Sequence, residues 1–302
     1  MLTIIPITIT FLGLLLGTYT DLRTREVPDW VNYGLMIIGF GWHALASILQ
    51  NSGAPLIESI VGFGIFFALA WFMFHTGQWG GGDSKMLMAL GALLGLPLAW
   101  PLHKTITLWI QQPPLLIITF VAILFCGAVY GLGWLIYFGL KEREKVFHEL
   151  RHTLSEESIV KAKIILLSIV GASFVSIFFI HTIMVKTYLI GITLLTIISF
   201  YLWITSKVVE KVCMVKNTAP QQLTEGDWVV QDITIKGRYI CGPKDLGLSK
   251  EQIKILLSLE QHGEIKTIPI KYGIPFVPSF LMAFIVAVVM QLHFYVNDVN
   301  VM

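Results

Sequence analysis

Two aspartates occupy positions that are unusual for a charged residue, because each adjoins a strongly apolar segment. Asp83 lies in the stretch 77–85, between the apolar residues 56–74 and 86–100. The three consecutive glycines before it remove side chains from one surface of the turn, so that another peptide backbone could approach, and they permit backbone angles that other residues avoid. The stretch is not a phosphate-binding loop, because Asp83 stands where that motif requires a lysine.

Asp21 is the second of these aspartates and follows the first apolar segment. A carboxylate at the end of a helix meets the unfavourable negative end of the helix dipole. Asp83, in contrast, could cap the helix that follows it, and Asp29, after Pro28, is most simply the cap of the second helix. Glu26 is most simply a solvated loop residue. Asp21 is therefore the carboxylate with no local structural explanation.

The two aspartates, 62 positions apart, could act as one catalytic pair. Two carboxyl groups at short range cannot both ionise comfortably, so that the pair can hold one proton at neutral or mildly acid pH. The ionised member could take a proton from a bound water while the protonated member donates to the carbonyl oxygen of an amide. Such a pair would hydrolyse a peptide bond without a covalent intermediate.

Two other interpretations of the aspartates stay open at this point. Carboxylates in membrane segments often mark ion paths, so the pair could serve as relay groups of a proton-coupled transporter or channel. Both aspartates could also be helix caps in a scaffold. In that case asparagine would be tolerated at either position, since it caps a helix nearly as well as aspartate.

The composition requires a membrane protein, because 55% of the 302 residues are hydrophobic and 13% are charged. No Lys or Arg precedes the first apolar segment, which we expect to be retained and not removed as a signal peptide. Eight segments are long enough to cross a bilayer: 2–20, 30–49, 56–75, 84–100, 114–140, 164–185, 187–205 and 276–295. The predicted fold class is an all-α polytopic membrane protein with about eight transmembrane helices and a small cytoplasmic α+β insertion before the last helix.

The distribution of cations orients these segments. With the N-terminus outside, 19 of the 21 Lys and Arg residues fall in cytoplasmic connections, and only Lys104 and Lys186 fall outside. The positive-inside rule favours this orientation. The first helix then leaves toward the cytoplasm and the fourth enters from it, which predicts Asp21 and Asp83 on the same, cytoplasmic face of the membrane.

Aromatic and small residues in the apolar segments predict structure and not chemistry. Tryptophans favour membrane interfaces, and glycines four positions apart let helices approach closely. We therefore expect Trp30 and Trp79 at the cytoplasmic interface, Trp100 and Trp109 at the outer interface, and helix packing at the pairs Gly13 and Gly17, Gly91 and Gly95, and Gly127 and Gly131.

Two long polar stretches interrupt the apolar pattern. Residues 141–163 place Val146, Phe147, Leu150 and Leu154 at a spacing typical of a short amphipathic helix at the membrane surface. His148 and His152 lie one turn apart in this stretch. We interpret them as part of a solvated face, because a metal site would need a third ligand.

Residues 206–275 form the second polar stretch. Strand-like runs at 227–235 and 263–270 flank a predicted helix at 249–259, for which Ser249 is the expected cap. The predicted division of the chain is a five-helix membrane catalytic core at 1–140, a cytoplasmic amphipathic loop at 141–163, a transmembrane hairpin at 164–205, a cytoplasmic subdomain at 206–275, and the last transmembrane helix and tail at 276–302.

The three cysteines, Cys126, Cys213 and Cys241, are isolated and form no C-x2-C pair. This spacing argues against structural disulfides and against a thiolate zinc site. We predict neither a metal nor another cofactor.

Two motifs resemble those of the type IV prepilin peptidases, membrane aspartyl proteases with a GxGD motif. The first is Asp21-x-Arg23-x3-Val27-Pro28-Asp29, and the second is Gly80-x-Gly82-Asp83-x-Lys85. The resemblance covers residues 13–100 well. The segment 273–278, which begins Gly-Ile-Pro-Phe, is also similar to the C-terminal signature of the family.

The resemblance implies cleavage of class III signal peptides, whose short basic leader is removed at the cytoplasmic face of a multi-pass cell-membrane protein. Asp21 and Asp83 would be the catalytic pair. The implied residues that bind substrate or shape the site are Gly80, Gly81, Gly82, Lys85, Arg23, Arg25 and Pro28. The implied partners are prepilin-like or preflagellin precursors and the lipid bilayer, and no nucleic-acid partner is expected.

The chain differs from the bacterial members, which carry a C-x2-C zinc domain and usually N-methylate the trimmed pilin. Without that domain, methyl transfer is not expected. The short N-terminus and the insertion before the last helix are similar to the archaeal branch, which processes prepilins, preflagellins or related secreted proteins. Presenilins also have a GxGD motif, but a tyrosine precedes their first aspartate, whereas Thr20 precedes Asp21 here.

Overall fold

The computed structural model describes residues 4–99, 103–235, 237–245 and 247–301. The chain forms two compact units, one from Met1–Leu132 with Gly273–Met302 and the other from Gly133–Tyr272. The helices are α1 (Ile4–Thr24), α2 (Asp29–Leu49), α3 (Ala54–His75), α4 (Gly81–Leu94), α5 (His103–Gln111), α6 (Leu115–Lys141), α7 (Arg143–Ser155), α8 (Glu157–Phe179), α9 (Ile183–Cys213), α10 (Lys250–Gln261) and α11 (Val277–Val301). The strands are β1 (Val215–Thr218), β2 (Trp228–Val229), β3 (Ile233–Ile235), β4 (Arg238–Cys241) and β5 (Ile268–Lys271).

Within the described residues, seven helices are long and apolar enough to cross a membrane. They are α1, α2, α3, α6, α8, α9 and residues Val277–Phe294 of α11. The predicted fold class is confirmed: the chain is a helical, multi-pass membrane protein with a small strand-containing insertion before its last helix. The predicted five-part division of the chain stays a prediction.

The predicted fourth span, 84–100, forms a shorter helix than expected. α4 has 14 residues and is therefore about 21 Å long, less than the roughly 30 Å of a bilayer core. It ends at Gly95, whose φ of 60° turns the chain away. Trp100, predicted at the outer interface, lies outside the described residues.

The central position of α4 explains why a short helix is stable there. Most of its side chains are buried, and they contribute to the core of the first unit. α3 crosses it at backbone distance, because a Cβ on Gly62 would lie 2.6 Å from the Gly91 carbonyl oxygen. α2 approaches as closely, since a Cβ on Gly39 would lie 2.8 Å from the carbonyl carbon of Ala92.

The early end of α4 leaves carbonyl groups that the helix itself cannot satisfy. The Ser59 hydroxyl, on α3, donates to the Ala92 carbonyl at 2.7 Å. Nε2 of His43, on α2, lies 3.0 Å from the Leu93 carbonyl oxygen and donates to it when that nitrogen carries the proton. Side chains of both neighbouring helices thus fix this end of α4.

Five of the six glycines at the predicted helix crossings pack closely. A Cβ on Gly13 would lie 2.6 Å from Leu35, one on Gly127 would lie 2.7 Å from the Phe276 ring, and Gly95 and Gly91 meet α3. Gly131 is different, because no atom of the described residues lies within 4 Å of the position of its Cβ. Packing at the third pair therefore involves only its first member.

Two of the predicted interface tryptophans differ in their surroundings. Trp30 is 68% exposed, as an interface residue would be, but Trp79 is only 9% exposed. Its ring centroid lies 5.8 Å from that of Phe276 and 5.3 Å from that of Phe280. Trp79 is therefore a core residue packed against the start of α11, a role that hydropathy alone did not indicate. Trp109 donates from Nε1 to the Pro97 carbonyl at 2.9 Å.

The second unit contains α7, whose amphipathic character was predicted from residues 141–163. Val146 is buried against Val208 and Val209 of α9, while Phe147 is exposed. α9 continues to Cys213, beyond the predicted end at 205. The unit also contains an antiparallel sheet in the order β1-β5-β2 and a hairpin of β3 and β4.

Helix α10 follows the sequence prediction closely. Ser249 is its N-cap, and its hydroxyl accepts from the backbone N–H of Gln252, whose side chain accepts from the N–H of Ser249. Leu256 of this helix is buried with Ile268 and Ile270 of β5. Strands β1 and β4 were not predicted, because four-residue strands depend on their pairing partners more than on their own sequence.

Candidate active site

The position of Asp21 is determined by the contacts that α1 makes one turn earlier. A Cβ on Gly17 would lie 2.7 Å from Cε of Met86, on α4, and 3.3 Å from Val277, on α11. Residues four positions apart share a helix face. Asp21 therefore faces the same two helices, and it is buried, with 5% exposure.

The carboxylate of Asp21 binds the start of α11. Its Oδ2 accepts from the backbone N–H of Val277 at 2.8 Å, and the N–H of Phe276 also donates to it. The first N–H groups of a helix have no partner within the helix and form its positive end. Asp21 thus caps α11 from 256 positions away in sequence, which gives it a structural role that the local sequence did not reveal.

Asp83 lies in the first turn of α4, but it is not the N-cap. Gly80 is the N-cap, and Asp83, three residues later, accepts from the backbone N–H of Gly80. A carboxylate at this position can reach back to the first free N–H of its helix. Asp83 is partly buried, and it is close enough to Asp21 for the charge of Asp21 to act on it. The fold therefore places the two aspartates, from α1 and α4, within range of electrostatic interaction.

The backbone conformation just before Asp83 does not require glycine. Within the stretch 77–85, Gly77 has a positive φ, of 68°, whereas Gly80, Gly81 and Gly82 do not. These three glycines therefore do not use the backbone angles that glycine permits. A Cβ on Gly80, Gly81 or Gly82 would meet its nearest described neighbour at 3.5, 3.8 and 3.5 Å, which are ordinary contacts. None of the three glycines is therefore in tight contact with a described neighbour.

Lys85 pairs with Asp29 and so connects the starts of α4 and α2. Its Nζ lies 2.5 Å from Oδ1 of Asp29 and 5.5 Å from the centroid of the Tyr33 ring. The interpretation of Asp29 as the cap of α2 is wrong. Pro28 is the N-cap of this helix, and the helix start has no side-chain cap hydrogen bond among the described residues. Asp29 therefore pairs with Lys85 of α4 and does not cap its own helix.

The two arginines of the first loop have different surroundings. Arg23 is exposed and donates to the Tyr19 hydroxyl at 3.1 Å. Arg25 donates from its guanidinium to the Gly273 carbonyl at 3.0 Å, and its charge acts on Asp21. Arg25 therefore belongs to the immediate surroundings of the aspartate pair.

Asn32, which lies next to Gly82, was not predicted from the sequence. Asn32 is fully buried on α2, and its Nδ2 lies 3.5 Å from the Gly82 carbonyl oxygen, at the limit of a hydrogen bond. The available signal was a polar residue in an apolar helix, three positions after Asp29. Among the described residues, no group of three or more His, Cys, Asp or Glu side chains could hold a metal ion.

Residues 8–132 match the type IV leader peptidase family. The chain is 35% identical over 111 residues to a preflagellin peptidase of Methanocaldococcus jannaschii, which covers 35% of this chain and 47% of the relative. It is 35% identical over 98 residues to a preflagellin peptidase of Methanococcus voltae, covering 32% and 41%.

A third relative, a preflagellin peptidase of Methanococcus maripaludis (strain C6), is 42% identical over 83 residues, covering 28% of this chain and 36% of the relative. The chain thus spans less than half the length of the curated relatives that it matches. No solved structure matches it. The resemblance predicted from the two motifs is confirmed for residues 8–132, which contain Asp21 and Asp83 and are similar to the type IV leader peptidase family and, within it, to archaeal preflagellin peptidases.

Proposed function

We propose that this protein is a membrane aspartyl endopeptidase that removes the short basic leader of type IV prepilin-like or preflagellin precursors. The observation that carries the proposal is that Asp21, at the end of α1, and Asp83, at the start of α4, lie near enough for the charge of one to act on the other. Both lie in the part of the chain that is similar to leader peptidases. The names of the relatives favour preflagellin as substrate.

In the proposed reaction, the two carboxyl groups share one proton. The ionised carboxylate takes a proton from a water molecule, whose oxygen adds to the carbonyl carbon of the scissile bond. The protonated carboxyl group donates its proton to the carbonyl oxygen. When the tetrahedral intermediate collapses, the C–N bond breaks, and a proton passes from the pair to the leaving amine. No covalent bond to the enzyme forms.

The lack of tight contacts at Gly81 and Gly82 with described neighbours supports the approach of a substrate backbone to Asp83. Neither glycine is needed for its own φ, and neither is in tight contact with a described neighbour. An extended peptide beside Asp83 would place a scissile carbonyl next to the aspartate pair. Gly80 is the cap that orients the Asp83 carboxylate.

We place this site at the cytoplasmic face, because the positive-inside rule assigns the connection after α1 and the start of α4 to that side. The precursor would then present its leader in the cytoplasm and its hydrophobic helix in the bilayer. We propose no N-methylation, since the chain has no C-x2-C pair of the kind found with that activity in the bacterial members.

A purely structural role for the aspartates is the competing interpretation, and the bond from Val277 to Asp21 favours it. Substitution by asparagine separates the two. Asparagine retains an oxygen that accepts the N–H groups of α11 or Gly80, so that it caps nearly as well as aspartate. It cannot ionise, and so it cannot exchange a proton with water in an acid–base pair.

The test is cleavage of a precursor with a basic leader and a hydrophobic helix, by membranes that carry equal amounts of each variant. We expect Asp21→Asn and Asp83→Asn to lose at least about a thousandfold in rate while their thermal stability stays near that of the wild type. Glu157→Gln is the control, because its side chain is 83% exposed and pairs only with Lys161 among the described residues.

Cleavage that persists in either asparagine variant would reject the catalytic pair. Failure of the wild type on several such precursors would reject the endopeptidase, and proton flux through proteoliposomes would then be measured for the relay interpretation.

A further inference from the structure

We propose that Arg25 is a positioning residue, which holds Asp21 and the start of α11 in the arrangement that the reaction needs. The inference rests on the proposed function only for its kinetic consequence. Its structural content is a closed set of contacts among Asp21, Arg25, Gly273 and Val277, all within the first compact unit.

The backbone of Arg25 is unusual. Its φ is 58°, in the left-handed region that residues with a Cβ rarely adopt. It follows the last residue of α1, and its N–H donates to the Asp21 carbonyl at 2.8 Å. Glycine is the common residue at this position of a helix end, because it has no steric penalty there. A side chain retained here is therefore expected to have a use.

The side chain of Arg25 supplies that use. Its guanidinium donates to the Gly273 carbonyl at 3.0 Å, across 248 positions of sequence. Gly273 lies four residues before Val277, whose N–H donates to the Asp21 carboxylate. The backbone of Arg25 thus holds Asp21, while its side chain holds the segment that binds Asp21. Arg25 therefore contacts both partners of the hydrogen bond between Asp21 and the start of α11: Asp21 itself and the segment that leads to Val277.

Arginine suits this position better than lysine. Its planar group has several donors in a fixed arrangement, whereas lysine offers a single flexible ammonium. The charge of Arg25 also acts on Asp21. Lys85 does not replace it, because Lys85 is paired with Asp29.

The attachment of α11 to α1 does not depend on Arg25 alone. Val277 packs at Gly17, and Phe276 and Phe280 pack on Trp79. We therefore expect Arg25→Gly to fold. Glycine relieves the unfavourable φ and keeps the backbone N–H, so that only the side-chain contacts are lost.

The experiment compares Arg25→Gly, Arg25→Lys and Asn51→Gly. Asn51 also has a positive φ, of 48°, and its N–H closes the end of α2 by donating to the Ile48 carbonyl. Asn51→Gly therefore makes the same backbone change away from the aspartates. We expect kcat of Arg25→Gly to fall by about tenfold to a hundredfold, the loss typical of a misplaced reacting group. KM should change by less than about twofold.

Arg25→Lys should recover part of kcat, since it restores the charge and one donor, and Asn51→Gly should cleave like the wild type. A second readout does not need activity. Hydrogen exchange of the Phe276 and Val277 amides should be about tenfold faster in Arg25→Gly, with exchange elsewhere in α11 unchanged. The melting temperature should not fall.

Unchanged exchange at Phe276 and Val277 would overturn the inference. A lower melting temperature with faster exchange throughout the first unit would also overturn it, because Arg25 would then be a residue of general stability. Wild-type protein that fails to cleave would reject the proposed function alone, since the exchange measurement still decides whether Arg25 positions Asp21.

Discussion

The two ends of α4 are built in opposite ways. At its C-terminal end, Gly91 meets the backbone of α3, and Ser59 and His43 bind its last carbonyl groups. At its N-terminal end, the glycines beside Asp83 have no tight neighbour among the described residues. The C-terminal end of α4 is therefore anchored at backbone distance. The N-terminal end is held by side-chain contacts such as the pair of Lys85 and Asp29, and a Cβ on its glycines would meet no described neighbour closer than 3.5 Å.

Polar atoms show the same contrast. Ser59 has its hydrogen bond at the anchored end, whereas at the other end Oγ of Ser84 and Oδ1 of Asn32 are buried and have no hydrogen-bond partner among the described residues. A buried polar atom without a partner is unfavourable by about 1–3 kcal/mol. The end of α4 remote from Asp83 thus has the more favourable polar contacts, and the end that would receive a substrate has the less favourable ones.

The largest effect is expected where the anchored end has no free volume. Gly62→Val would place a Cβ 2.6 Å from the Gly91 carbonyl oxygen, a backbone atom that cannot move alone. We expect a loss of about 3 kcal/mol or more, measured as thermal unfolding in detergent. Gly64→Val is the matched control on the same helix, because its Cβ position has no neighbour within 4 Å in the described part of the chain. Equal stability of the two variants would contradict the anchored end.

A smaller effect is expected for the hydrogen bonds at that end. Ser59→Ala removes the donor to the Ala92 carbonyl, and the free energy of unfolding should fall by about 1–2 kcal/mol. Ser168→Ala is the control, since the Ser168 hydroxyl donates to the Ile164 carbonyl of its own helix at an exposed position. If both variants had the same melting temperature, the side-chain bonds would not anchor α4.

The smallest effect on stability is expected at the other end. Gly81→Ala meets its nearest described atom, in the Phe74 ring, at 3.8 Å, and it should raise the free energy of unfolding by about 0.5 kcal/mol. Precursor cleavage should nevertheless fall, by about tenfold in kcat/KM, because the methyl group occupies the surface that the substrate backbone is proposed to approach.

Gly34→Ala is the matched control for that experiment, since Gly34 has no described atom within 4 Å of its Cβ position and lies on α2. It should gain similar stability and retain cleavage. Undiminished cleavage by Gly81→Ala would show that substrate does not use the surface beside Asp83.

Features that depend on neighbouring residues in the chain were predictable from the sequence. Of the eight segments predicted to cross a membrane, seven form helices long and apolar enough to do so among the described residues, and 84–100 does not. The pattern at Ser249 identified the start of α10. The two aspartates were also found from their positions at the boundaries of apolar segments. Burial of a charge is unfavourable whatever the partner, so its cost can be recognised before the partner is known.

The identity of the partners was decided by the tertiary structure. Asp21 was singled out because it lacked a local explanation, and its explanation is the start of α11, 256 positions away. Asp29 binds Lys85 instead of capping α2, and Trp79 packs on Phe276 and Phe280 instead of facing an interface. Hydropathy and capping patterns describe one segment at a time, whereas these contacts depend on which helix ends the fold brings together.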